Sequence, residues 1–158
     1  MLKIVKVPDP ILTKKTSTVK KIDEAILDLA AEMLVTCRKA NGIGLAAPQI
    51  GKSLRLCIIN LEHINVPPFA LVNPEIVRSS FKKVEMEEGC LSIPGVFGMV
   101  KRPSTVTVRA ATLEGKEIKF RAGGLMSRVI QHEIDHLDGI LFTSKIIKQT
   151  AGNPEEKM

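Results

Sequence analysis

Among its 158 residues the sequence has no tryptophan and no tyrosine, and its aromatics are five phenylalanines. With so few rings, scattered lysines and no nucleic-acid motif, a sequence-specific nucleic-acid partner is not expected. The net charge of +6 permits only weak, general attraction to anions. Three cysteines, Cys37, Cys57 and Cys90, are an odd number without regular spacing, which argues against a disulfide framework. No apolar run approaches the ~20 residues needed to cross a bilayer, so no membrane partner is expected. The first residues, Met1-Leu2-Lys3-Ile4-Val5-Lys6, lack the apolar core of a signal peptide. A cytoplasmic enzyme is the expectation. Internal repeats and linkers are also missing, and the length suits one domain, expected over residues 1–147, followed by a poorly ordered polar tail over 148–158.

What the chain does contain is regular amphipathic patterning. Lys3 to Val7 reads as a short strand ended by Pro8-Asp9-Pro10. Asp23 is placed to cap a helix from Glu24 to about Ala40, whose apolar Ile26, Ala30, Met33, Leu34 and Cys37 keep helical spacing. Strands are expected over 54–60, 70–77 and 81–86, and His63 in a proline-rich connection should lie on the surface. Thr105 to Arg109 alternates in polarity, and Leu113-Glu114-Gly115-Lys116 turns it into a second strand bearing Ile118 and Phe120 on one face.

The most informative stretch is Gln131-His132-Glu133-Ile134-Asp135-His136-Leu137. On a helix, His132 and His136 differ by about 40° in direction and stand one turn apart, so both imidazoles can reach one metal ion. Glu133 lies about 100° round from His132, placed for a water on that ion rather than for the ion. Leu125 and Val129 fall on the histidine face one and two turns earlier. Ser127, Arg128, Gln131, Asp135 and Asp138 gather in a polar wedge, and Gly139 supplies the stop. A mostly buried helix with three inward ionisable groups needs something to compensate them, and a metal would.

Catalytic sites of this type use three protein ligands. A third histidine downstream is excluded because position 142 is Phe142, and only Glu155 and Glu156 remain among later glutamates. Upstream, Cys37 and Cys57 sit in core patterns, whereas Cys90 lies between polar residues in what reads as a glycine-bounded loop. Cys90 is therefore the expected third ligand. Gly42-Ile43-Gly44-Leu45-Ala46-Ala47-Pro48-Gln49 is unusually rich in small residues. Taken by itself it fits a Gly-Pro turn as well as a segment that pairs with an extended ligand and presents the Gln49 amide.

Three segments, Gly42 to Gln49, Glu88-Gly89-Cys90-Leu91-Ser92 and Gln131 to Leu137, resemble in order the three signature motifs of the peptide deformylase family. Pro8-Asp9-Pro10-Ile11-Leu12 resembles its N-terminal segment, so the likeness covers roughly residues 1–147. The resemblance implies an α+β fold with antiparallel β-sheets packed around a central metal-binding helix. It implies removal of the formyl group from N-formylmethionyl nascent peptides, which would bring the enzyme transiently near the ribosome. It implies one divalent ion held by Cys90, His132 and His136, Fe²⁺ in the cell, with Zn²⁺, Ni²⁺ or Co²⁺ able to replace it. Glu133 would be the general acid/base, and the Gln49 side chain with the Leu91 backbone N–H the oxyanion hole. Ile43, Gly44 and Gly89 would pair with the peptide, and Leu125 and Val129 would line the methionine pocket. A peptidase using the same ion and base, or a non-catalytic metal-binding protein, are competing readings. Cys90 and Gln49 argue against the first, and Glu133 with Gln49 against the second.

Overall fold

A computed structural model describes residues 2–152. Along the chain come α1 (Glu24–Lys39), β1 (Gly44–Ala46), β2 (Leu56–Ile59), β3 (Phe69–Ser79), β4 (Lys83–Cys90), β5 (Ile93–Pro103), β6 (Thr105–Ala111), β7 (Glu117–Gly123), α2 (Gly124–Leu137) and β8 (Ile146–Ala151). Short 3-10 turns cover Pro10–Thr13, Ala47–Ile50, Glu62–Ile64 and Phe142–Lys145. The strands form two antiparallel sheets, one ordered β1-β2-β3-β6-β7 and the other β4-β5-β8. This is the expected α+β class, with α2 between the sheets.

Each helix follows from its pattern. The Asp23 side chain accepts a hydrogen bond from Ile26 N–H at 3.1 Å, satisfying a free donor of the first turn of α1. Ile26, Ala30, Met33 and Cys37 are buried against Leu45, Ile50, Leu56 and Ile58. Asn41, at φ 56°, follows the end of the helix near Ala40. The apolar arc of α2, Val129, Ile130, Ile134 and Leu137, packs on Leu71, Val106, Val108 and Ala122 of the larger sheet. Leu137 O at its end accepts from Thr16 N at 2.9 Å and Thr16 Oγ1 at 2.7 Å, and Arg55 pairs with Asp138 at 2.8 Å. Gly139, at φ 74°, lies so close to Thr13 that a Cβ would stand 2.8 Å from its carbonyl.

Three expectations change. Residues 3–7 are extended but form no strand: Val5 N bonds Gln49 O at 2.7 Å and Val7 N bonds Ser92 O at 3.0 Å, lacing two separate segments instead of joining one sheet edge. Cys90 is the last residue of β4 rather than part of a loop, at an irregularity where Gly89 pairs with Phe97 but Cys90 with Ile93. The polar wedge of α2 is covered too, with Ser127, Arg128 and Gln131 buried. Gln131 donates to Pro103 O and Ser127 Oγ, both at 2.9 Å. Finally, residues 148–151 of the expected tail complete β8 along β5, where backbone pairing compensates their polarity; residues 153–158 lie outside the described residues. His63 is exposed, as expected.

Candidate active site

Three elements converge where α2 passes between the sheets: α2 itself, the end of β4, and the turn after β1. The Cys90 sulfur and one nitrogen each from His132 and His136 lie within 4.8 Å of one another. Cys90 Sγ is 3.2 Å from His136 Nε2, and the two imidazole rings are 5.0 Å apart. A thiolate and two imidazoles make a donor set suited to a borderline divalent ion.

The surroundings fit such an ion. His132 Nδ1 bonds Glu88 Oε1 at 2.9 Å, which leaves Nε2 facing the sulfur and fixes the ligating tautomer. Burial pulls the His132 imidazole down, but hydrogen bonds to Cys90 and Glu88 outweigh it and hold its pKa well above the ordinary range. The pocket therefore favours positive charge at this point. His136, buried and beside His132, has its pKa pushed well below the ordinary range, the neutral form that a ligand requires. Its Nδ1 is buried without a partner among the described residues.

Glu133 points into the same space. It is buried, its Oε1 has no partner among the described residues, and desolvation pushes its pKa up to about 7. A carboxylate tuned so can both take and give a proton near neutrality. Gly44 is glycine because of it: a Cβ there would stand 2.5 Å from Glu133 Oε2.

Gln49 is buried in the turn after β1, and its amide cannot face either way. Ala46 N–H donates to Oε1 at 2.9 Å, so Nε2 is directed to Cys90 Sγ at 3.5 Å and Ser92 Oγ at 3.2 Å. Within this stretch β1 pairs with β2, and the turn beyond it presents the Gln49 amide.

A cavity of about 470 Å³ opens onto this centre. Ile43, Gly44, Gln49, Gly89, Cys90, Leu91, Leu125, Val129, His132 and Glu133 all line it, so every expected site residue except His136 reaches its wall. His136 is 1% exposed, behind the others. Phe97 also lines the cavity, over Gly89, where a Cβ would lie 2.5 Å from its ring.

Sequence patterning missed the groups behind the histidines. Glu88 accepts from Arg102 Nε at 2.6 Å, Arg102 Nη2 at 3.0 Å and Arg128 Nη1 at 2.7 Å, besides its bond with His132. Burial alone would raise its pKa, yet hydrogen bonds from His132 and Arg102 hold it well below the usual carboxylate range. Arg102 also pairs with Asp135 at 2.8 Å, and Lys145 closes on the same carboxylate at 2.9 Å. The usable signal was spacing. Once 83–90 is a strand, Glu88 and Cys90 share one face.

The comparisons with known proteins agree with this geometry. The family model of polypeptide deformylase matches residues 1–151. The chain is 45% identical over 151 residues to a peptide deformylase of Dictyoglomus thermophilum, covering 96% of each, and 48% identical to one of Desulforudis audaxviator, covering 92% and 93%. Its fold is similar to that of peptide deformylase from Synechococcus elongatus in complex with actinonin, with TM-score 0.89 and 39% identity over 98% of this chain and 83% of that one. A Thermotoga maritima structure matches at TM-score 0.89 and 35% identity, covering 92% and 97%. The chain belongs to the peptide deformylase family, metal-dependent hydrolases that remove the formyl group from nascent peptides.

Proposed function

We propose that Cys90, His132 and His136 hold one divalent ion, Fe²⁺ in the cell with Zn²⁺, Ni²⁺ or Co²⁺ as replacements, and that residues 1–147 carry the whole reaction. When bound, the ion supplies Lewis acidity, lowering the pKa of a water and polarising the formyl oxygen. The formylated peptide lies extended, pairing its backbone with Ile43 and Gly44 on one side and Gly89 on the other, a form of strand addition. Its methionine side chain turns toward Leu125 and Val129. Gln49 Nε2 and the Leu91 N–H donate to the formyl oxygen as charge develops there. Glu133 takes a proton from the attacking water and passes it to the amine nitrogen as the C–N bond breaks, leaving formate and a free N-terminus.

The observation that carries this reading is the convergence of three ligand atoms within 4.8 Å beside a buried, unpartnered Glu133 Oε1 and a Gln49 amide aimed at Cys90. A cytoplasmic setting near the ribosome follows from the nascent substrate. It is supported by the lack, among the described residues, of a helix long and apolar enough to cross a membrane.

The test combines metal analysis with formate release from formyl-Met-Ala-Ser. Glu133→Gln should keep its metal and lose roughly 10²–10⁴ in turnover. Cys90→Ala should lose most of its metal, whereas Cys57→Ala keeps it. A fully loaded Cys90→Ala protein would refute the ligand set.

A further inference from the structure

A second cavity, of about 430 Å³, lies on the outer face of the larger sheet, away from α2. Arg78, Ser79, Ser80, Thr105, Thr107 and Arg121 line it. Register explains the grouping: Arg78 on β3 stands opposite Thr107 on β6, which stands opposite Arg121 on β7. The two arginines therefore flank one threonine across three strands, their backbones roughly 10 Å apart at two strand spacings. Arg109, on the same face, is held by Glu75 at 2.8 Å. Among the described residues neither the Arg78 nor the Arg121 side chain has an ion-pair or hydrogen-bond partner. Two free guanidinium groups over hydroxyls form a set that recognises phosphate oxygens.

The trough ends at the β3–β4 connection, where Phe81 is 104% exposed, the most exposed large apolar side chain described. This tip is firmly tied. Ser80 N donates to Thr105 O, and Ser104 N to Lys82 O, both at 2.9 Å, while Ser80 Oγ donates to Lys82 O at 2.8 Å. The backbone that carries the ring is thus held in place, with Lys82 and Lys83 exposed beside it. A lone ring next to a phosphate-binding trough suits a polymer that alternates charged phosphates with flat bases.

We propose that this face binds single-stranded RNA without sequence preference. Arg78 and Arg121 hold backbone phosphates over Thr105 and Thr107, and Phe81 stacks an unpaired base. The site is separate from the catalytic cavity, so bound RNA leaves peptide access open.

Fluorescence anisotropy of a labelled oligouridylate of about eight nucleotides, titrated with the full chain at low salt, tests this. The Arg78→Glu/Arg121→Glu double variant should bind at least about tenfold more weakly. Arg78→Ala/Arg121→Ala should lower the slope of log K against log salt by about 1.4. Phe81→Ala should weaken binding roughly fivefold or more. Lys20→Glu/Lys21→Glu, carrying the same charge change elsewhere, should have little effect, and all variants should release formate at the wild-type rate. Failure of the wild-type protein to bind, or an equal loss in the Lys20/Lys21 variant, overturns the proposal. So does full displacement by inorganic phosphate at matched phosphate concentration, which would reduce the trough to a small-anion site. Tighter binding to anionic phospholipid vesicles, lost in the same variants, would identify a membrane surface instead.

Discussion

Along one side, α2 lays Ile130, Ile134 and Leu137 against the five-stranded sheet; along the other it sets Arg128, Gln131 and Asp135 against the sheet of β4, β5 and β8. Both sides are largely covered, but by different physics. The apolar side gains from removing surface from water, and many arrangements of similar volume would serve. The polar side must match each donor to an acceptor: Arg128 reaches Glu88, Val100 O and Val84 O, and Arg102 bridges Glu88 to Asp135. Only the second kind of contact fixes directions, and it is the side whose Glu88 orients His132. A metal centre between two sheets gets its stability from one and its aim from the other.

After Glu133→Gln, the largest effect on turnover should come from a change that touches neither side of α2. Gln49→Leu should keep the fold and the metal but remove the donor proposed for the formyl oxygen, and should lower kcat by about 10²–10³. An unchanged kcat for formyl-Met-Ala-Ser would show that the amide held at Ala46 and Ser92 is structural only.

The two sides themselves are separated by Glu88→Ala and Ile130→Ala. Removing Glu88 leaves Arg102 and Arg128 buried without their main counter-charge, at a cost of about 3–5 kcal/mol. It also frees the His132 ring, which should weaken metal binding roughly 10–100-fold. Ile130→Ala, fully buried on the apolar side, should cost a comparable amount of about 2–5 kcal/mol. Its metal affinity should stay at the wild-type value. Denaturant midpoints and competitive chelation, measured on the same samples, check both. Equal losses of metal affinity in the two variants would erase the distinction between packing and aiming.

That distinction also explains what could be read from the sequence. His132, Glu133 and His136 were legible because ligand chemistry restricts residue type and a helix restricts spacing, and Cys90 followed from the need for a third ligand. The α1 cap and the β6–β7 hairpin were legible from local rules. Arg128 and Gln131 were not, because a polar wedge on an amphipathic helix ordinarily marks solvent, and nothing local says that a second sheet will cover it. β5 and β8 escaped for a related reason: their pairing is a backbone match between distant segments. Gly98, where a Cβ would fall 2.7 Å from Ile146, leaves no periodic trace.

The smallest expected effect concerns the thiols, which extend the same contrast to α1. Cys37 is buried, donates to Gly42 O at 3.2 Å, and supports the segment that carries Gly44 and Gln49. Burial, with a smaller contribution from the Glu133 charge, pushes its thiol up to about 12. In the unfolded chain a cysteine ionises near 8.5. Between these values the unfolded state releases a proton that the folded state keeps. The stability this thiol contributes is therefore complete below about pH 8.5 and declines as pH rises toward 12. The sequence has no tyrosine, and lysine titration is common to wild type and variant. Urea midpoints of wild type and Cys37→Ala, compared at about pH 7 and about pH 10, should thus show the wild-type advantage shrinking at the higher pH. Alkylation should follow the same division, with Cys37 and Cys57 unreactive in the folded protein and the part-exposed Cys90 modified once the metal is removed. A wild-type advantage that stays constant across that range, or Cys37 alkylated as fast as Cys90, would mean that the α1 side of the site is open to water.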